Sequence, residues 1–182
     1  MIIFIIILIC ALLIILLFTS RRLSPIPYFP SNRQDLPLIL KVLNLVNGQT
    51  VVDLGAGDGL VIFEAAAEAR KRKLSTQFMA VEINPILILI LHLRRLLHPN
   101  RKNIKVVYGN ILSENFKFKI LNSKIITIYL YISPWFMEKV YKKLMRDLKT
   151  FHLVSYFYPL KSKGATKTIK GKNKVFIYEE EP

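Results

Sequence analysis

The segment Val51-Val52-Asp53-Leu54-Gly55-Ala56-Gly57-Asp58-Gly59 decides the fold of this chain. An apolar strand runs into an acidic residue, and three glycines then follow at every second position. Glycine at such positions lets the backbone turn sharply and approach a ligand without an intervening Cβ. The segment therefore predicts a strand, a tight turn at a ligand site and the start of a helix.

Strands and helices alternate on both sides of this segment. The predicted strands cover residues 50–54, 78–82, 104–108, 124–131 and 151–157. The predicted helices cover residues 35–46, with Asp35 as the N-cap, 58–73, 84–97 and 134–148. This alternation indicates an α/β fold with helices on both faces of a parallel sheet. Residues 166–169 and 174–179 predict a hairpin across Gly171, which adds antiparallel strands at one edge.

The spacing of the glycines excludes two common phosphate-binding motifs. A dinucleotide fingerprint places its third glycine one residue later, where this chain has Leu60. A P-loop requires Gly-Lys-Ser/Thr, which the sequence lacks here. Asp53 would also repel a pyrophosphate, whereas it suits a cationic ammonium, such as that of the methionine part of S-adenosylmethionine.

Two further positions carry polar groups to the same edge of the predicted sheet. Glu82 ends the second strand, and its carboxylate can accept hydrogen bonds from both hydroxyls of a ribose. That geometry is shared by NAD and S-adenosylmethionine sites. Gly109-Asn110-Ile111 follows the third strand, where a side chain can meet the exocyclic amine of an adenine.

Together, these segments resemble the class I S-adenosylmethionine-dependent methyltransferases, and the resemblance implies a Rossmann-like sheet and S-adenosyl-L-methionine as the cofactor. It also implies that Glu82 binds the ribose and that Asn110, where many members carry Asp, contacts the adenine. The residues that match the nucleotide loop of the family are Asp53, Gly55, Ala56, Gly57, Asp58 and Gly59.

A narrower resemblance covers most of the chain after the first helix. Pro27-Tyr28-Phe29-Pro30-Ser31 and Glu82-Ile83-Asn84-Pro85 are similar to segments of small membrane-anchored lysine methyltransferases. That group acts on the mitochondrial ADP/ATP carrier and on the ATP synthase c-subunit. The resemblance implies methyl transfer to lysine side chains of a protein substrate that is itself membrane-associated.

The acceptor should bind past the fourth strand, at Tyr131-Ile132-Ser133-Pro134-Trp135-Phe136. Ser133 can orient an amine, and Trp135 can supply a wall or a cation–π face. The alternative is a helix that Ser133 caps, with Trp135 in the core. Tyr28 is a third candidate catalytic residue, since it can close the site. The segment lacks the Asn/Asp-Pro-Pro-aromatic pattern of adenine-modifying methyltransferases, which weakens a nucleic-acid-base acceptor.

The first eighteen residues are apolar and would form a helix roughly 27 Å long, close to the thickness of a bilayer core. Arg21-Arg22 follows, so the positive-inside rule predicts a single-pass anchor with the remaining chain on the cytoplasmic side. A cleaved signal peptide is the alternative, although the basic n-region that it needs is absent. The predicted division is an anchor at 1–20, a Pro-rich linker at 21–34 and a methyltransferase domain at 35–182.

The chain carries 27 Lys and Arg against 12 Asp and Glu, a net charge of +15. This excess favours solubility, an anionic membrane surface or, less readily, nucleic acid as a partner. Residues 86–91 are six consecutive aliphatics, which either pack against the sheet or face a partner or membrane. One Cys and three scattered His predict no metal site. Three functions other than lysine methylation stay open: methylation of RNA, methylation of a lipid or quinone-like molecule, or cofactor binding without catalysis.

Overall fold

A computed structural model describes residues 1–19, 28–118 and 123–180 of the chain. Arg21-Arg22 and the first half of the predicted linker lie outside the described residues. The predicted division into anchor, linker and domain therefore stays a prediction.

Within the described residues, seven strands form one sheet in the order β3-β2-β1-β4-β5-β7-β6. The strands are β1 (Gln49–Leu54), β2 (Gln77–Glu82), β3 (Ile104–Tyr108), β4 (Ile125–Leu130), β5 (Phe151–Tyr156), β6 (Lys167–Lys170) and β7 (Lys174–Glu180). The first five strands are parallel, and β7 is antiparallel to both β5 and β6. The predicted parallel sheet with a hairpin at one edge is confirmed.

Helices cover both faces of this sheet, as the alternation predicts. These are α2 (Leu36–Leu43), α3 (Leu60–Lys71), α4 (Pro85–Leu97) and α5 (Pro134–Asp147), and a further helix, α1 (Ile2–Thr19), precedes them in the chain. The apolar sides of α2, α3 and α4 share one core cluster, and α5 belongs to the cluster on the opposite face. Two helices are shorter than predicted because Asn44 and Gly59 adopt left-handed conformations, which end α2 and delay the start of α3.

The N-terminal helix forms where the sequence predicts it, as α1. Its large aliphatic side chains are exposed, for example 75% at Ile3 and 60% at Leu8. In the described parts of the chain, no helix combines the length and the apolar character that crossing a membrane requires. The transmembrane character of the predicted anchor stays a prediction.

Asp35 does not cap α2 with its side chain, contrary to prediction. Its buried carboxylate instead accepts hydrogen bonds from the Tyr156 hydroxyl at 2.7 Å and from the Asn173 and Lys172 amides at 2.9 and 2.5 Å. A Cβ at Gly171 would clash with Asp35 Oδ1, so glycine allows this approach. The carboxylate therefore joins the start of α2 to the turn between β6 and β7.

Replacing Asp35 by Asn should lower the free energy of unfolding by about 1–3 kcal/mol at neutral pH, because an amide cannot accept all of these hydrogen bonds. Burial acts to raise the pKa of Asp35, but the hydrogen bonds outweigh it and hold the pKa below its usual value. The carboxylate thus contributes stability above its unfolded-state pKa and loses it as the pH falls through the folded-state value. The deficit of Asp35→Asn should shrink on acidification in urea unfolding, whereas Glu68→Gln on α3 should change little at any pH.

Candidate functional site

The turn after β1 folds back onto the end of β2. The amides of Gly55 and Ala56 both donate to the Val81 carbonyl at 2.9 Å. Gly55, Gly57 and Gly59 have φ values of 81°, 58° and 82°, which L side chains rarely adopt. The alternating glycines are therefore required by the backbone path of the turn.

Glu82 lies directly beneath this turn and is almost fully buried. Its Oε2 accepts from the Gly57 amide at 2.8 Å, and its Oε1 accepts from the Ile83 and Asn84 amides at 2.8 and 2.9 Å. A carboxylate oxygen has two lone pairs, so Oε2 can accept one more hydrogen bond. Glu82 therefore braces the turn, a role that the sequence did not predict, and can still bind one hydroxyl.

A cleft at the carboxyl ends of β1, β2 and β3 brings several predicted residues together. Gly55, Gly57, Glu82 and Asn110 all line it. The Asn110 Oδ1 accepts from the Leu112 amide at 2.9 Å, which fixes the side chain at the rim of the cleft. The predicted ribose and adenine positions thus share one cavity.

A second cavity adjoins the first across the glycine turn. Asp53, Ala56 and Asp58 line it, and Gly55 and Gly57 line both cavities. Gly59 is absent from the lining residues of either one. A Cβ at Gly59 would lie 2.6 Å from side-chain atoms of Phe63 and Leu91, so its smallness serves the packing of α3 against α4.

Asp53 is buried at the floor of the second cavity, at the end of β1. Burial, together with the nearby charges of Glu82 and Asp58, raises its pKa to about 8. At neutral pH this carboxyl is therefore mostly protonated. A cation placed in the cavity would favour the ionised form and lower the pKa again.

Asp58 pairs with Arg94 on α4. Its Oδ2 lies 3.2 Å from Arg94 Nη1, and the same nitrogen donates to the Asp58 carbonyl at 2.6 Å. The Tyr28 hydroxyl also bonds to the Asp58 carboxylate, and burial followed by the charge of Asp58 raises the pKa of Tyr28.

Residues 28–32 form a strap that crosses the sheet edge above the turn. The Ser31 hydroxyl lies 2.8 Å from the Tyr129 hydroxyl, and the Asn32 amide donates to the Tyr156 hydroxyl at 3.3 Å. These contacts place the Tyr28 ring so close to Gly57 that a Cβ there would lie 2.6 Å from it. Tyr28 lines both cavities, and its predicted role in closing the site stays a prediction.

Ser133 and Trp135 occupy different surroundings. Ser133 makes no side-chain capping hydrogen bond and lines a third cavity with Phe29, Tyr131 and Tyr158. Trp135 is 79% exposed and is absent from the lining of all three cavities. The alternative of a capping serine and a core tryptophan does not hold.

Lys143 is a structural residue of the site that sequence reasoning missed. Its amine is buried, bonds to the carbonyls of Ile111 and Ser113, and lies 5.2 Å from the centre of the Phe116 ring. Burial lowers its pKa. Its position at helical spacing from Val140 was the available signal, because the two lie on the sheet-facing side of α5. Lys143 thus holds the loop that carries Asn110.

Replacing Asp53 by Asn should change how stability depends on pH. The folded protein keeps a proton on Asp53 up to about pH 8, whereas the unfolded chain releases it near pH 4. The stability that the protonated carboxyl contributes is full below the unfolded-state pKa and is lost as the pH rises through the folded-state value. In urea unfolding, the free energy of unfolding of Asp53→Asn should therefore rise relative to that of the wild type as the pH increases from about 4 to about 8. A pH-independent difference would contradict the raised pKa, and Glu64→Gln serves as the exposed control.

Comparison with known proteins adds structural relatives. No protein-family model and no curated sequence matches the chain significantly. An RNA methyltransferase from Salinibacter ruber in complex with S-adenosyl-L-homocysteine matches with a TM-score of 0.69 and 17% identity, over 84% of this chain and 94% of that chain. TrmK from M. capricolum, also in complex with S-adenosyl-homocysteine, matches with a TM-score of 0.57 and 15% identity, over 84% of this chain and 68% of that chain. A precorrin-6y C5,15-methyltransferase from Geobacter metallireducens matches with a TM-score of 0.56 and 18% identity, over 87% of this chain and 91% of that chain. This chain therefore has the fold of the class I S-adenosylmethionine-dependent methyltransferases.

Proposed function

We propose that this chain is an S-adenosylmethionine-dependent methyltransferase that modifies lysine side chains of a membrane protein. The observation that carries the cofactor part of the proposal is Asp53, a buried carboxyl with a raised pKa beside a glycine turn. Such a group disfavours phosphate and is stabilised as an anion by an entering ammonium. The second cavity therefore fits the methionine end of the cofactor.

The remaining residues of the cleft fit the nucleoside end. Glu82 Oε2 can accept from one ribose hydroxyl while it keeps its bond to the Gly57 amide. Asn110 lies at the rim beyond Glu82, where a base would extend. The Tyr28 ring spans the junction of the two cavities and would cover a ligand that occupies both.

The third cavity supports an amine as the methyl acceptor. Phe29, Tyr131, Tyr158 and Pro134 line it together with Ser133, and none of these side chains carries a charge at neutral pH. Aromatic faces attract a cationic amine, and removal from water lowers its pKa toward the neutral, nucleophilic form. The Ser133 hydroxyl can accept an N–H and orient the amine.

The chemistry is an in-line displacement. S-adenosylmethionine supplies an electrophilic methyl carbon on a sulfonium, so the amine N–C bond forms as the S–C bond breaks and the amine proton passes to water. A free lysine must lose a proton against a pKa of about 10.4, which costs roughly 4–5 kcal/mol at pH 7. The aromatic cavity lowers this cost by desolvation, and it holds the amine in position.

We further propose that the enzyme is held at a membrane, with the methyltransferase domain on the cytoplasmic side. The exposed aliphatic side chains of α1 and the net charge of +15 both favour an anionic bilayer. A membrane-held enzyme meets a membrane-held lysine without overcoming long-range repulsion between two cationic molecules in solution.

RNA is the second candidate acceptor. Six lysines and no acid lie between residues 161 and 174, and the aromatic lining of the third cavity could stack an unpaired base. The aromatic residues lie at the cavity and do not interleave with these lysines, which favours the protein acceptor.

Cofactor binding should depend on two acids. Asp53→Asn and Glu82→Ala should each weaken S-adenosylmethionine binding at least about tenfold in calorimetry, since each removes a polar partner worth about 1.5–3 kcal/mol. The wild-type affinity should rise between about pH 6 and 7.5 as Asp53 ionises, and Asp53→Asn should abolish the rise. Glu64→Ala on α3 is the matched control. Unchanged binding in both site variants would refute the proposed cofactor site.

The acceptor can be identified by labelling. Purified protein, labelled S-adenosylmethionine and membrane fractions should yield a polypeptide whose methylated lysine is found by mass spectrometry. The label should resist ribonuclease and disappear on protease treatment, and the reverse result would establish RNA. Tyr28→Ala should reduce the labelling rate strongly because the site loses its cover, whereas Tyr28→Phe should retain most of it. Labelled product in the lipid phase would replace the lysine proposal by a small-molecule one.

A further inference from the structure

The outward face of α4 is apolar. Its exposed side chains include Leu89 at 57%, Leu93 at 53%, Leu96 at 59% and Leu97 at 89%. With His92 they occupy positions i, i+3, i+4, i+7 and i+8, which is one continuous helical face. These four leucines are called the α4 stripe below.

Packing against the sheet does not explain the α4 stripe. The sheet-facing side of α4 is separate and buries Leu87 and Leu91. The other helices that flank the sheet expose charged side chains. The exposed positions of α3 include Glu64, Arg70 and Lys71, and those of α5 include Lys139, Lys142 and Arg146. If the outward face of α4 were in contact with water, it would be expected to carry charged side chains as well. The apolar stripe therefore indicates a binding surface.

Two neighbours of the stripe point to what covers it. The apolar helix α1, whose aliphatic side chains are exposed, contacts α4. Basic residues border its carboxyl end: Arg101 and Lys102 follow α4 and are exposed, and Arg70 reaches across from α3 to the Pro99 carbonyl. An apolar face with a basic border is complementary to the acyl boundary and phosphates of an anionic bilayer.

We propose that the α4 stripe docks into the interfacial layer of an anionic bilayer and gives the domain a fixed orientation on the membrane. This inference rests on the membrane location proposed above but not on methyl transfer. It also has a consequence for the site, because α4 begins at Pro85, directly after Ile83 and Asn84. Ile83 and Leu87 line the cleft, so a docked α4 holds the cleft close to the membrane surface.

Site-specific fluorescence on the full chain tests this orientation. In a Cys10→Ser background, Leu93→Cys and, separately, Leu97→Cys carry an environment-sensitive probe, and Lys142→Cys on α5 is the matched control. The labelled proteins are mixed with vesicles of phosphatidylcholine and phosphatidylserine, with and without doxyl-labelled lipid. Circular dichroism establishes that each variant is folded.

At positions 93 and 97, vesicles should reduce quenching by aqueous acrylamide several-fold, and doxyl lipid should quench the probe. Position 142 should stay accessible to acrylamide. Protein that floats with the vesicles but leaves 93 and 97 as accessible as 142 overturns the stripe alone. Shielding from acrylamide without doxyl quenching overturns it in favour of a protein partner or a second copy. Protein that does not float overturns the membrane location together with the stripe, while cofactor binding by calorimetry would still stand.

Discussion

The hydrogen bond between the Gly57 amide and Glu82 Oε2 is the contact on which the site depends. It joins the turn after β1 to the end of β2, beside the bonds from the Gly55 and Ala56 amides to the Val81 carbonyl. The Tyr28 ring can rest on Gly57 only because that residue has no side chain. This carboxylate thus contributes to the shape of the cleft, and the contacts of Ser31 and Asn32 position its cover.

The site handles three neighbouring acids in three different ways. Glu82 is held by backbone amides, Asp58 is paired with Arg94, and Asp53 is buried with a raised pKa and a proton at neutral pH. Because Asp53 stays protonated, the site does not bear the free-energy cost of burying a third negative charge. A bound cation would offset that cost and allow Asp53 to ionise. A cation that enters this site would favour the ionised form of Asp53, so the arrangement suits a positively charged ligand.

Local sequence patterns predicted most of the fold. The alternation of strands and helices and the glycine turn are both set by residues that are close together in the sequence. They also brought Glu82, Asn110 and the glycine turn to one cleft. The same patterns could not predict contacts between residues that are distant in the sequence. Asp35 stands where a helix N-cap is expected, yet its partner Asn173 lies 138 residues away. Burial of a charged group was equally hidden, since Lys143 follows Lys142 and only the phase of α5 distinguishes them.

The position of β7 has a consequence for biosynthesis. β7 is the last strand along the described chain, yet it lies inside the sheet with β5 on one side and β6 on the other. A nascent chain that has not yet exposed residues 174–180 outside the ribosome therefore presents β5 as an open edge, which is a template for aggregation. Completion of this sheet must wait until residues 174–180 have left the ribosome, and a chaperone that shields β5 during that interval would protect the folding sheet.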